Sequence, residues 1–143
     1  MIRRKQCKPF IHRLNAMTLI ELLIVLAIIG LLAAFVYPSY TAHVRSAHRH
    51  QALSDLSRIQ LSLEQHYRSG YHAGTVISAG ICLVCDSDPS RYQFSVSAST
   101  QGYQIRALPQ TATRQHLDTC QGQTYEALTL NHLGESAPPR CWR

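Results

Sequence analysis

One long apolar segment constrains this chain more than any other feature of its sequence. From Leu22 to Tyr37 there are sixteen residues in which the Tyr37 hydroxyl is the only polar group. The single charge of the segment, Glu21, lies near its start. A carboxylate placed in hydrocarbon costs roughly 2.5 to 3.5 kcal/mol on insertion scales, so such a residue usually has a specific partner. The sequence therefore predicts that Glu21 finds its partner outside the segment.

The apolar segment, residues 17–37, has the length of a membrane span. Its 21 residues, at about 1.5 Å each in a helix, match a hydrocarbon core of roughly 30 Å. The basic residues that precede it, with no acid among them, are Arg3, Arg4, Lys5, Lys8 and Arg13. The positive-inside rule then places the N-terminus in the cytoplasm. A cleaved secretory signal is disfavoured, because the run is too long and residues 37–40 lack a small-residue cleavage site.

The junction before the segment resembles a known export signal. The basic leader, the sequence Ala-Met-Thr-Leu-Ile-Glu at residues 16–21 and the exit at residues 37–40 are similar to the class III signal of type IV pilins and pseudopilins. This resemblance implies that a prepilin peptidase cleaves between Ala16 and Met17 and methylates the new Met17 amine. The family nearly always has Gly before the cut and commonly Phe after it. We expect processing to persist here, because Ala is the next smallest residue.

The resemblance also assigns roles along the helix. It implies that Glu21 pairs with the Met17 amine of a neighbouring subunit, and that the helix loses regularity between Gly30 and Pro38 when subunits pack into a filament. The residues support the second role, since Pro38 cannot donate to the carbonyl of Ala34 and should bend or break a helix. Gly30 adds a second weak point.

Three regions and a set of partners follow from this resemblance. They are a leader peptide at residues 1–16, a hydrophobic transmembrane and assembly helix at residues 17–40, and a periplasmic or extracellular globular domain at residues 41–143. The expected partners are other major and minor pilins, the prepilin peptidase and the inner-membrane assembly platform. The expected location is the inner membrane, with one span and a cytoplasmic N-terminus, and then the pilus or cell surface after assembly.

Loss of the leader changes the charge of the chain. It removes five of the fourteen basic residues and leaves nine Arg against eight acids, a net charge of about +1. The positive charge of the precursor therefore does not indicate a nucleic-acid-binding surface. An arginine stripe that contacts phosphates could still be supplied by Arg91, Arg106, Arg114, Arg140 and Arg143. The near-neutral total favours scattered, solvated charges over such a stripe, so nucleic-acid binding is not favoured.

The cysteines indicate an oxidising compartment. Cys7 leaves with the leader, and an even set remains at Cys82, Cys85, Cys120 and Cys141. Disulfides are favoured outside the cytoplasm, and the sequence leaves all three pairings open. The pilin resemblance implies that Cys120 and Cys141 close a carboxy-terminal loop and that Cys82 pairs with Cys85. A zinc knuckle or a redox site at residues 82–85 is disfavoured, because neither a second close pair nor a strand-and-helix pattern accompanies it.

Beyond the apolar segment the helical pattern becomes amphipathic. One apolar stripe is formed by Val44, Ala47, Leu53, Leu56, Ile59, Leu63 and Tyr67. Charged residues stand between its members, namely Arg45, Arg49, Asp55, Arg58 and Glu64. Because Ser69 and Gly70 end the pattern, we expect one helix about fifty residues long, whose second half lays one face on a soluble domain.

Alternating residues downstream predict an antiparallel sheet. The alternation covers Tyr92, Phe94 and Val96, then Tyr103, Ile105 and Ala107, then Leu128 and Leu130. The turn at residues 99–102 indicates a hairpin, and residues 131–134 have turn composition. We therefore predict an α+β fold in which a long N-terminal helix packs on three or four antiparallel strands. This order of elements matches the pilin fold, whereas residues 70–90 add nothing to the resemblance.

The function class follows from the same features. The ending, with Asp118-Thr119-Cys120, Leu128-Thr129-Leu130, Gly134 and Cys141-Trp142, resembles PilE-like minor pilins. The resemblance implies a structural subunit that joins or primes a type IV pilus and supports adhesion, twitching motility or DNA uptake. The alternatives are a pseudopilin of a type II secretion filament and a DNA-receptor pilin of a competence system. Pseudopilins more often rely on calcium, for which this chain offers only Asp86 and Asp88 as a short acidic pair.

Neither an enzyme nor a cofactor protein is indicated. No Ser, His and Asp grouping suggests nucleophilic catalysis, and we expect no cofactor and no metal. His43, His48 and His50 cluster just after the apolar segment. Metal binding or pH sensing is the sharper interpretation of this cluster, but a solvated face near lipid headgroups is the commoner one and is favoured.

The role of Glu21 can be tested directly. We expect Glu21→Ala to leave the protein in the membrane and to abolish its entry into pili, because the partner of the subunit's amino end would be lost. Membrane fractionation and sheared filaments measure the two outcomes. Recovery of the variant in filaments at the normal level would refute the role.

Overall fold

The computed structural model describes residues 17–142. Ala16, at the expected cleavage position, the rest of the leader and Arg143 lie outside the described residues. Within the described residues there is one α-helix, α1 (Leu19–Gln65), and it is followed by short strands. These are β1 (Ile77–Ser78), β2 (Ile81–Cys82), β3 (Tyr92–Ala98), β4 (Tyr103–Pro109), β5 (Thr119–Cys120), β6 (Gln123–Thr124), β7 (Leu128–Asn131) and β8 (Ser136–Ala137). Three 3-10 helices cover Ala73–Thr75, Gln115–Leu117 and Pro139–Cys141.

Helix α1 begins where its sequence supplies a cap. Thr18 precedes the first helical residue, and its hydroxyl accepts a hydrogen bond from the backbone N–H of Glu21 at 3.3 Å. A threonine followed three residues later by a glutamate is the spacing of a capping box. The helix has 47 residues and runs continuously through Pro38. The long helix is therefore confirmed, whereas the break allowed at Pro38 is not found in this structure.

The chain divides into two compact units between Pro38 and Ser39. In the first unit, the large apolar side chains from Met17 to Tyr37 are between 45% and 79% exposed. Helix α1 is long and apolar enough in this part to cross a membrane, by length and composition. An apolar surface of this extent must be covered by lipid or by other helices, because water is a poor solvent for it.

The second unit packs the later part of α1 against an antiparallel sheet. The sheet has four strands in the order β3-β4-β7-β8. Its register pairs Phe94 with Ala107 and Ile105 with Leu130, so these residues share the inner face. The buried core combines side chains from the helix and the sheet, among them Leu56, Ile59, Leu63, Tyr92, Ile105 and Leu128. The predicted α+β pilin fold and its hairpin are thus confirmed.

The buried face of α1 differs in detail from the predicted stripe. Ala47 and Tyr67 are exposed, and Tyr67 lies beyond the end of the helix. Asp55, expected on the solvated face, is fully buried. Its carboxylate accepts hydrogen bonds from the backbone N–H groups of Asp86 at 3.1 Å and Ser87 at 2.8 Å. The loop after β2 is therefore held on the helix by a buried acid that apolar periodicity cannot reveal.

A cluster of aromatic rings connects the end of α1 to the β3–β4 hairpin. Tyr71 and Tyr103 lie with their ring centroids 4.7 Å apart, and both donate a hydrogen bond to the Glu64 carboxylate. Burial, together with the hydrogen bond to Glu64, raises the pKa of Tyr103 to about 12. At Gly102 an added Cβ would lie 2.5 Å from Nδ1 of His132, so a larger residue would have to displace the His132 ring.

The structure contains two disulfides, Cys82–Cys85 and Cys120–Cys141. These are the pairs that the pilin resemblance implied. The first joins β2 to the loop that Asp55 holds, and the second joins β5 to the end of the chain. Because all four of these sulfurs are paired, the zinc and dithiol interpretations of residues 82–85 do not describe this structure.

The two disulfides should differ in their effect on stability. The Cys120–Cys141 pair closes a separation of 21 residues, against 3 for Cys82–Cys85. In the chain-entropy model the longer loop contributes about 3 kcal/mol to the free energy of unfolding and the shorter one less. We therefore expect replacement of Cys120 and Cys141 by serine to lower that free energy more than the matched replacement of Cys82 and Cys85. Urea unfolding of the full chain in detergent, without reductant, measures the difference. Equal losses would contradict the loop-length argument.

Candidate functional site

The first functional element is Glu21 in the opening turn of α1. Its side chain is exposed on an otherwise apolar helix surface. Among residues 17–142, no side chain forms an ion pair with it. The helix dipole stabilises a carboxylate at a helix N-terminus, but it does not supply a counter-charge. The described part of the chain thus leaves Glu21 available to a group from another molecule.

A buried ion pair anchors the carboxy-terminal region to α1. Arg49 donates from Nη1 to Oδ2 of Asp118 at 2.5 Å and to the Thr119 carbonyl at 3.0 Å. Its other terminal nitrogen donates to the Ser46 hydroxyl at 3.0 Å. The side chains of Arg49 and Asp118 are only 12% and 4% exposed. A pair this buried is costly to break, because either partner alone would remain as an uncompensated charge.

The ion pair continues into a network of hydroxyl and amide groups. Tyr125 donates to Oδ2 of Asp118 at 2.7 Å, and its oxygen lies 2.6 Å from that of Tyr92. Gln115 donates to the Tyr92 hydroxyl at 3.1 Å and to the Arg45 carbonyl at 2.9 Å. Burial raises the pKa of both tyrosines. The network therefore stays neutral at its hydroxyls and links α1, β3 and the 115–125 segment.

A surface groove of about 380 Å³ lies beside this network. Arg106 from β4 and Arg140 from the last 3-10 helix line it, together with Thr124, Tyr125, Thr129 and neighbouring residues. Arg140 donates to the side-chain oxygen of Gln123 and, at 3.3 Å, to the Thr124 carbonyl. Arg106 lies 3.7 Å from Glu126, an exposed pair of little energetic weight. Two cations thus face one acid across a hydroxyl-lined groove.

The structure brings together only two of the five arginines considered for a stripe. Arg106 and Arg140 share the groove. Arg91 is half-buried and contacts the Gln115 side chain at 3.4 Å, while Arg114 is exposed in a left-handed turn with φ of 56°. The fifth, Arg143, lies outside the described residues. The candidate site is therefore a groove and not a continuous stripe.

The three histidines of the predicted cluster differ in exposure. His43 and His50 are exposed, and His48 is half-buried. Burial and the nearby Arg91 lower the pKa of His48, and Asp88 opposes them. Among residues 17–142, no group of three or more His, Cys, Asp or Glu side chains is arranged to hold a metal ion.

Several residues of the site were missed by sequence reasoning. Arg49 was expected on the solvated face, and Gln115 and Tyr125 carried no pattern at all. Asp118 entered only as part of a family-like ending. The partners of the ion pair lie 69 residues apart in the chain, so no local periodicity could have joined them.

Comparisons with known proteins identify the family. A family model described as "Type IV minor pilin ComP, DNA uptake sequence receptor" matches residues 38–124. A second model, the prokaryotic N-terminal methylation motif, matches residues 12–37. The first match covers more than half of the chain. This chain belongs to the type IV pilin family. The methylation motif and the apolar helix together support membrane anchoring followed by assembly into a pilus.

Two individual proteins are similar to this pilin. The type IV major fimbrial protein FimA of Dichelobacter nodosus is 31% identical over 75 residues, which is 52% of this chain and 47% of FimA. The pilin thus spans about half the length of that curated relative. A type IV pilin structure from Shewanella oneidensis aligns with a TM-score of 0.51 and 24% identity, covering 69% of this chain and 98% of the other. The structural likeness supports the fold.

The buried ion pair gives a sharp stability prediction. Replacement of Arg49 by Met leaves Asp118 buried without its counter-charge, which should cost about 3 to 5 kcal/mol of unfolding free energy. The matched control, Arg106→Met, removes a cation from an exposed pair and should cost at most about 1 kcal/mol. Urea unfolding followed by Trp142 fluorescence compares the two variants. Similar losses would show that the Arg49 pair is not the anchor.

Proposed function

We propose that this pilin is a minor subunit that binds DNA in the Arg106–Arg140 groove and so serves DNA uptake. The observation that carries the proposal is the pairing of two arginines on one groove in a chain whose family model describes a DNA uptake sequence receptor. Arg106 lies inside the segment that this model matches, and Arg140 lies beyond it. The two arginines thus give the groove a local positive charge that could attract DNA, although the net charge of the chain did not favour DNA binding.

The chemistry of the groove suits a phosphodiester backbone. Guanidinium groups bind phosphate oxygens with paired donors, and hydroxyl side chains add neutral donors beside them. Arg106 and Arg140 supply the first kind, and Thr124 supplies the second. Glu126 opposes binding, because its carboxylate faces the same groove. Contacts of this kind position a duplex, whereas reading its sequence would require further contacts to base edges.

We also propose that the subunit enters the filament by the route of its family. Cleavage between Ala16 and Met17 would free an amine for methylation, and Glu21 would pair with that amine on a neighbouring subunit. Gly30 and Pro38 would allow the helix to adapt when apolar surfaces pack together. Other pilins, the prepilin peptidase and the inner-membrane platform are the partners of this route. The methylation motif supports this route, as does Glu21, whose side chain forms no ion pair with any of residues 17–142.

The secretion-filament alternative finds less support. Calcium binding would need free carboxylates near residues 86–88, but Asp86 forms an ion pair with Arg58 and Asp88 accepts the backbone N–H of Ser90 at 2.8 Å. Both acids are therefore engaged within the chain. A role in adhesion or twitching motility would be compatible with the same filament.

DNA binding can be tested with the full chain in detergent. We expect Arg106→Gln and Arg140→Gln each to weaken binding to a short labelled duplex in fluorescence anisotropy. Each lost phosphate contact should reduce the slope of log affinity against log salt by about 0.9. Glu126→Gln should strengthen binding, because it removes the acid that faces the groove.

A charge-matched control separates the groove from general attraction. Arg58→Gln removes an arginine that is paired with Asp86, away from the groove lining, and should leave the affinity within about twofold. If the control weakens binding as much as the groove variants, the groove is not the site. If the wild-type chain binds no duplex at low salt, DNA binding itself is refuted.

A further inference from the structure

A second polar pocket lies at the start of the globular unit. It has a volume of about 270 Å³ and is formed by the first turns of α1 in this unit and the 117–119 segment. Its lining includes Ser39, His43, Arg45, Ser46 and Leu117. The pocket is distinct from the groove of Arg106 and Arg140, with which it shares no lining residue.

Arg45 is the unusual member of this lining. Its Nε is buried and donates no hydrogen bond. Among the described residues, its guanidinium forms no hydrogen bond and no ion pair with a carboxylate. Buried donors are rarely left unsatisfied, and each such group calls for an explanation. Arg45 differs from Arg49 and Arg140, whose Nε atoms also lack a partner but whose terminal nitrogens donate within the fold. An anion in the cavity would supply the partner that the Arg45 guanidinium lacks.

The other polar groups of the pocket favour the same kind of ligand. The Ser46 hydroxyl accepts a hydrogen bond from Arg49, so its own proton remains available for donation. The exposed Ser39 hydroxyl and the N–H of the exposed His43 ring are further donors on the lining. Asp118 also lines the pocket, but Arg49 at 2.5 Å neutralises it. The pocket therefore presents several donors and a net positive charge.

We propose that this pocket binds the phosphate of an anionic phospholipid headgroup. A phosphate offers the multiple acceptor oxygens that an arginine and two hydroxyls require. Only Pro38 separates Ser39 from the end of the apolar segment at Tyr37. In sequence, the pocket is therefore next to the headgroup region of any membrane that the segment spans. Leu117, 47% exposed, gives the pocket an apolar wall suited to the glycerol and upper acyl carbons of a lipid.

Headgroup binding would give the membrane-anchored subunit a defined contact with the bilayer surface. Cationic side chains next to a span are attracted to anionic lipids, and a shaped pocket adds selectivity to that attraction. The contact is lost when the helix leaves the lipid, so it belongs to the subunit before assembly. The inference does not depend on DNA binding, since neither Arg106 nor Arg140 takes part in it.

The Arg45 Nε–H resonance provides a direct test. The full chain, in a phosphate-free maltoside detergent, is titrated with dihexanoyl phosphatidylglycerol while side-chain and backbone amide spectra are recorded. We expect saturable shifts of the Arg45 Nε–H signal and of the amides at residues 39–46 and 117–119. Arg45→Gln should abolish the saturable shifts, and Arg45→Lys should weaken binding at least fivefold, because lysine keeps the charge without the planar donor fork.

Control titrations separate the sources of phosphate. Arg68→Gln removes an exposed arginine outside the pocket lining and should retain full binding. Inorganic phosphate should bind at least tenfold more weakly than the lipid, because it cannot use the apolar wall. Equal binding of inorganic phosphate, or the same shifts with a short DNA duplex, would overturn the lipid assignment. Loss of the shifts in Arg68→Gln, or no saturation in the wild type, would overturn the pocket itself. Well-dispersed amide spectra of the variants exclude unfolding as the cause.

Discussion

The uncovered apolar surface of the first unit is the constraint on which the biology of this chain depends. Large apolar side chains on every side of the helix between Met17 and Tyr37 are about half exposed or more. Burial of these side chains from water would contribute about 25 cal/mol for each Å² of apolar surface. Replacement of lipid contacts by contacts with another apolar helix gains almost none of this free energy. Side-chain packing and polar contacts must then decide association. A single acid among apolar residues therefore carries unusual weight.

The globular unit depends on buried acids in a comparable way. Asp55 holds the loop after β2 through two backbone N–H groups, and Asp118 holds the carboxy-terminal region through Arg49 and Tyr125. Strands β5, β6 and β8 have two residues each, too few for ladder hydrogen bonds alone to fix their position. The Cys120–Cys141 disulfide and the Asp118 network supply the constraint that the short strands lack.

The parts predicted from sequence are those encoded by local patterns. Alternation from Tyr92 and from Tyr103 gave two strands, and the apolar run followed by the amphipathic stripe gave the long helix. Asp55, Gln115 and Asp118 were beyond such reasoning, because most of the groups that satisfy them in the fold lie 23 to 70 residues away in the chain. Only one arginine of the groove could be placed from the sequence. Alternation along β4 puts Arg106 on the exposed face of the sheet, whereas Arg140 reaches the groove only through the fold of the last loop.

Net charge describes the surface incompletely, because the arginines are unequally paired. Arg49 and Arg58 form ion pairs with Asp118 and Asp86 within the fold. Of the other arginines, Arg106 and Arg140 line one groove, and Arg45 lines a separate pocket. A field near a surface is set by the charges closest to it, since screening limits the others to about 10 Å at ordinary ionic strength. We therefore propose two separate anion-binding surfaces on a nearly neutral pilin, one suited to DNA and the other to the membrane.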